Sequence, residues 1–156
     1  MILATHALAG AVIGKNIDNP GLIIILSLIV HFLMDALRHG EYVEVFSENT
    51  SLKNSGWKVA LDLIIGFTIV FLFTYFQKLE TWQIKNIIIG VISSVFPDFI
   101  TSIYWKFRWP FLKKYYSFHS WFHKYPRFSK ERQWTLQNAL NDIIISLVCI
   151  GILFFL

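Results

Sequence analysis

Apolar residues fall into five runs, and the polar residues that interrupt them are few and placed in a pattern. Residues 2–14 form a short run with Thr5 and His6 near its start. A polar turn over 15–20, rich in Asn, Asp and Pro, suits a tight connection. The second run, 21–37, is densely aliphatic from Leu22 to Val30 and ends in His31 and Asp35, with His39 one turn further on. A polar loop over 38–55 carries Glu41, Glu44 and Glu48. Run three, 57–76, contains Asp62, and a turn over 77–83 leads to run four, 84–105, which Phe96-Pro97-Asp98 is expected to interrupt. Run five, 136–156, opens with Asn138, Asn141 and Asp142 and is then almost entirely apolar.

About 20 apolar residues in a helix cross a hydrocarbon layer of roughly 30 Å. Runs three, four and five reach that length, and run two comes close. Run one is too short to span unaided and is expected to be a partial helix packed against the others, which is tolerated where protein rather than lipid surrounds it. The pattern therefore predicts an all-α polytopic membrane helix bundle with four to five membrane segments, forming one domain over 1–156. Composition agrees: 55% of residues are hydrophobic, including 15 Phe and 6 Trp, which leaves too little polar residue to cover a water-soluble surface. The single cysteine, Cys149, excludes an internal disulfide and a cysteine-built zinc site. No cleavable signal is expected, because the first residues lack a basic stretch and no small-residue cleavage pattern follows.

Charge orients the bundle. Between runs four and five, Lys106, Arg108, Lys113, Lys114, Lys124, Arg127, Lys130 and Arg132 stand against Glu131 alone, a net +7 in a chain of net +4. A connection of that kind is expected on the cytoplasmic side of an inner or cytoplasmic membrane. Five alternating crossings then put eleven Lys/Arg inside against three outside, with the N-terminus cytoplasmic and the C-terminus outside. Counted from the inner end of each run, His6, His31, Asp62, Asp98 and Asp142 all come to a depth of roughly 8–11 Å at 1.5 Å per residue. Polar residues scattered independently over five runs would not share one depth, so they are expected to wall one site.

His31 and Asp35 are four residues apart, which places both on one face of a helix. That spacing is a common way for one helix to give two ligands to one metal ion. Imidazole with carboxylate suits zinc, and also manganese or iron. His119 and His123 repeat the spacing in the basic connection, and Asp98 follows Pro97 directly. Blander readings exist for each. An intramembrane Asp62 or Asp142 could bond to Asn138, Asn141 or a hydroxyl and only fix helix packing. Thr5-His6 could be a helix cap and an interfacial imidazole. His39 beside Gly40 fits a helix C-terminal cation better than a ligand, and His119 and His123 could merely extend the basic face. Two i, i+4 pairs with four carboxylates near one face favour a metal or proton site.

Thr5-His6-Ala7-Leu8-Ala9-Gly10 resembles the N-terminal Thr-His-x-x-x-Gly signature of the YdjM-like membrane-bound metal-dependent hydrolases. His31-x-x-x-Asp35, Pro97-Asp98 and His119-Ser120 resemble that family's other His/Asp elements. The family is in turn distantly similar to zinc-dependent phospholipase C. The resemblance implies hydrolysis of a phosphoester by metal-activated water. It further implies His6, His31, Asp35, Asp98, His119 and His123 as metal ligands, and Asp62 or Asp142 as orienting groups or the general base. Lys113, Lys114, Lys124 and Arg127 would hold an anionic headgroup or leaving group.

Eleven aromatic residues between Trp105 and Phe128 interleave with these basic ones. Such a stretch could stack on nucleic acid, but with membrane segments on both sides it is better read as a helical loop in the membrane interface, with Trp and Tyr at headgroup level. A membrane lipid is therefore the expected partner, and a phospholipid-like or isoprenoid phosphate the expected substrate. Two rivals remain: a small ion- or proton-coupled transporter using the same carboxylates and imidazoles, and a non-catalytic membrane scaffold whose polar groups only join helices. Transport would call for a matching polar set in the outer half, and helix glue needs fewer ionisable groups.

Overall fold

The computed structural model describes residues 1–41, 52–126 and 129–156, so Glu44, Glu48 and Arg127 lie outside the described residues. Among the described residues the regular structure is helical: α1 (Leu3–Asn16), α2 (Pro20–Asp35), α3 (Leu52–Phe76), α4 (Thr81–Phe107), α5 (Leu112–Phe122) and α6 (Leu136–Phe155), with a 3-10 turn at Lys130–Arg132. Local chemistry sets several ends. Asn19 Oδ1 accepts from the backbone of Gly21 and Leu22 ahead of α2, with Pro20 at the first turn. Glu80 and Gln83 cap α4 reciprocally, and Arg108 ends it in the left-handed region at φ 54°.

Three of the helices are long and apolar enough to cross a membrane, namely Gly56–Phe76 within α3, Thr81–Phe107 and Leu136–Phe155. Helix α2 is apolar but shorter, at 16 residues. Much of what α3, α4 and α6 turn outward is apolar, including Ile64, Phe71, Ile92, Phe99 and Leu147, as lipid contact requires. The chain is thus a membrane protein by the character of its helices.

Helix α1 is the centre of the bundle. It packs against α2, α3, α4 and α6, and Ala4 through Ala11 are all buried. Small residues make this possible, since without bulky side chains neighbouring backbones come close enough for extensive van der Waals contact. Gly10 lies against the carbonyl of Gly90 and the Cβ of Ser94, Gly14 against the backbone of Asn86 and Ile87, and Gly66 of α3 against Ala4. A 14-residue helix enclosed in this way has no need to span on its own.

The elements alternate in direction. As a result the N-terminal parts of α1, α3 and α6 meet the C-terminal parts of α2 and α4 at one end. At the far end Lys15 Nζ donates to the Ile152 and Leu153 carbonyls at 3.2 and 3.0 Å, where the last turn of α6 leaves acceptors unfilled. Contrary to the expected interruption, α4 continues through Pro97. Packing of α1 and α2 on that stretch outweighs the missing N–H and the clash of the ring, worth about 3 kcal/mol in an isolated helix. Helix α3 starts inside what the pattern marks as a loop, and α5 occupies the aromatic and basic connection.

Candidate metal centre

Asp35 is the hub. Its carboxylate is almost fully buried at the end of α2, and four imidazole Nε2 atoms approach it. His6 Nε2 lies 3.2 Å from Oδ1, and His31 Nε2, His119 Nε2 and His123 Nε2 lie 3.2, 2.9 and 3.6 Å from Oδ2. The Met1 amino group also donates to Oδ1, at 2.8 Å. Asp98, one-fifth exposed at its side chain, sits 3.8 Å from His6 and 3.7 Å from His119, closing the cluster on its more open side. Helices α1, α2, α4 and α5 therefore each contribute to one centre.

All five histidines of the chain belong to one array. Ring centroids run from His6 to His31 at 4.2 Å, to His119 at 5.3 Å, to His123 at 5.2 Å and to His39 at 5.3 Å. The ligand atoms of His31, Asp35, Asp98 and His119 lie within 4.8 Å of one another, and so do those of Asp35, His39 and His123. Either group could hold a metal ion.

The hydrogen bonds behind the rings decide how they face the centre. His31 Nδ1 is 2.8 Å from the Ser94 carbonyl, which can only accept, so Nδ1 carries the proton. The Thr101 hydroxyl donates to the Pro97 carbonyl at 3.1 Å, so it accepts from His119 Nδ1 at 2.5 Å. With Nδ1 engaged in this way, Nε2 is the atom each ring turns to the centre, and the two Nε2 atoms are 3.3 Å apart beside the Asp35 carboxylate. Imidazole nitrogens and carboxylate oxygens converging on one point, with the rings held from behind, are the donor arrangement a divalent cation takes. Burial pushes His123 down to about 3 and His39 to about 4, so both stay neutral at physiological pH.

Asp62 and Asp142 stand apart from this cluster. Asp62 Oδ2 accepts from the Leu3 and Ala4 N–H groups at 2.6 and 3.3 Å, and Asp142 Oδ1 from Ile2 N–H at 2.9 Å. A buried helix start leaves several N–H groups without intrahelical partners, and a carboxylate there also meets the positive end of the helix dipole. These two residues share the depth of the centre because α1 begins there. Asp62→Ala and Asp142→Ala should each lower stability by about 1–2 kcal/mol while leaving metal content unchanged. Thermal unfolding beside elemental analysis checks this, and a fall in metal content would return them to the site.

Lys113, Lys114 and Lys124 are exposed on α5 and just past it, outside the ligand cluster. Two supporting residues were not distinguished by sequence pattern: Thr101, one turn after Pro97, and Ser94, whose contribution is a backbone carbonyl that no side-chain motif encodes. Tyr115, beside His119 at 6.3 Å between rings, is pushed up to about 12 by burial and then by the Asp98 charge, so its hydroxyl remains a donor. Comparison with protein-family models, curated proteins and solved structures finds no match, so function is read from this geometry.

Proposed function

We propose that this protein is a membrane-embedded, metal-dependent phosphoester hydrolase acting on a phospholipid-like or isoprenoid phosphate, with its site at the cytoplasmic face of the membrane. Membership of the YdjM-like family is part of the proposal, as is a count of four crossings, with α2 joining the three long helices. One observation carries it: two imidazole Nε2 atoms 3.3 Å apart, each ring held from behind through Nδ1, converge on Asp35 with Asp98 alongside. Zinc suits this donor set, and manganese or iron are the alternatives. When bound, the ion would supply positive charge and Lewis acidity next to a phosphoryl group. His31, His119, Asp35 and Asp98 would hold it, with His6 and His123 completing the surroundings. Ser94 and Thr101 keep the two central rings turned inward, and the Tyr115 hydroxyl can donate to a phosphoryl oxygen. Exposed Lys113, Lys114 and Lys124 attract an anionic headgroup to the interface, where the aromatic residues of α5 sit well.

The unbroken contact of five imidazoles favours one second reading, a proton or cation relay. Detergent-purified protein should carry stoichiometric zinc or manganese by elemental analysis, and should release phosphate from a short-chain phosphatidate or a prenyl monophosphate. Chelation should abolish the release and metal should restore it. Bound metal without turnover, together with proton flux across reconstituted vesicles, would replace hydrolysis by the relay. Absence of metal would end the hydrolase reading.

A further inference from the structure

Beyond the four-residue group lies a second cluster with ligands of its own. His39 is 2% exposed, in the segment just after α2. Its Nδ1 donates to the Leu37 carbonyl at 2.7 Å, and among the described residues its buried Nε2 has no hydrogen-bond partner. Leaving a buried polar atom unfilled is costly, and proteins rarely tolerate it without a reason. Among the described residues the nearest charged oxygen, Glu41 Oε1, is 3.8 Å away, too far for a hydrogen bond.

His39 is also held firmly, although it follows the end of a helix. Arg38 Nε donates to Asn138 Oδ1 at 2.6 Å, and Asn141 Nδ2 donates to the Arg38 carbonyl at 2.7 Å. On the other side, Glu41 N–H donates to the Arg132 carbonyl at 2.9 Å, and the Glu41 carboxylate pairs with the buried Arg132 guanidinium. Two anchors from α6 and the 3-10 turn thus fix the segment that carries His39, and the ligand atoms of Asp35, His39 and His123 lie within 4.8 Å of one another. The His39 and His123 rings are 5.3 Å apart, and His123 Nε2 is 3.6 Å from Asp35 Oδ2.

We propose that Asp35 is a bridging carboxylate between two divalent-cation sites, and that His39 and His123 build the second. This rests on the reading of the Asp35 cluster as a metal centre and adds a count and an address to it. The first site keeps His31, Asp98 and His119, and only Asp35 is shared. Among the described residues, Glu41, paired with Arg132, is the carboxylate closest to completing the second set. Two cations bridged by one carboxylate form a clamp able to grip a phosphate through two oxygens, as two-metal phosphoesterase centres do.

The test uses the full chain in detergent micelles, stripped with chelator and dialysed against Zn2+ or Mn2+. Elemental analysis of the wild type should find two ions per chain, and the two-Mn2+ form should give an exchange-coupled electron paramagnetic resonance spectrum. His39→Ala and His123→Ala should each bind one ion, and their Mn2+ spectrum should be that of an isolated ion. One ion in the wild type, with no loss in His39→Ala, overturns the second site and leaves the single-metal reading intact. Two ions retained by both variants also overturn it, because the second ion then lies elsewhere. No ion in the wild type removes both readings. The wild-type count stands even if a variant fails to fold.

Discussion

Replacing Asp35 with Asn is expected to abolish the metal binding proposed for this cluster and, with it, the proposed phosphoester turnover. Every imidazole of the centre but one places its Nε2 within 3.6 Å of this carboxylate, so it supplies the negative charge that a divalent cation needs among neutral ligands. An amide of the same shape keeps the volume and loses the charge. Outer-sphere partners of a metal are typically worth about 10–100-fold in affinity, and a central carboxylate should exceed that. The clearest readout is stability. A ligand present at about 100 times its Kd raises folding stability by about 2.7 kcal/mol, so metal should shift the wild-type Tm upward by several degrees. In Asp35→Asn that shift should vanish, with the chelated proteins still unfolding cooperatively. A metal-dependent Tm shift that survives in Asp35→Asn would move the ion away from this cluster.

Part of the centre could be read from spacing alone. His31 and Asp35 at i, i+4 on a helix are bound to meet, and their side chains do so at 3.2 Å. Counting depth along alternating runs also brought His6 and Asp98 to the same end, because straight helices convert residue number into height. Depth, however, does not reveal what a carboxylate faces. Asp62 and Asp142 share the height of the centre and are occupied by the N–H groups that start α1. Nor could local pattern value His39 correctly. Beside Gly40 it reads as a helix-end cation, and its real setting depends on Asn138 and Asn141, about a hundred residues away in sequence. Pro97 marks a break only if the helix stands alone, and here it is enclosed.

The fold itself hinges on contacts no hydropathy pattern weighs, and this gives the second large effect. Gly90→Ala should cost about 3 kcal/mol or more, above the usual range for an overpacked core, and Gly10→Leu should prevent folding. A Cβ on Gly90 would run into the backbone carbonyl of Gly10, and one on Gly10 into that of Gly90. Because the obstacle on each side is backbone, no rotamer change relieves it, and α1 and α4 would have to separate. Separation would also displace Ser94, which touches Gly10 and whose carbonyl holds His31, so the damage should reach the Asp35 cluster through its support. Gly151 of α6 provides the contrast, since nothing lies within 4 Å of a Cβ built there. Gly151→Ala should be neutral or stabilising by about 0.5–1 kcal/mol, the ordinary gain from replacing glycine in a helix. Thermal unfolding of the three variants in one detergent, with metal content measured alongside, separates these cases. If Gly90→Ala proves as harmless as Gly151→Ala, the close approach of α1 and α4 is not what holds His31 in place.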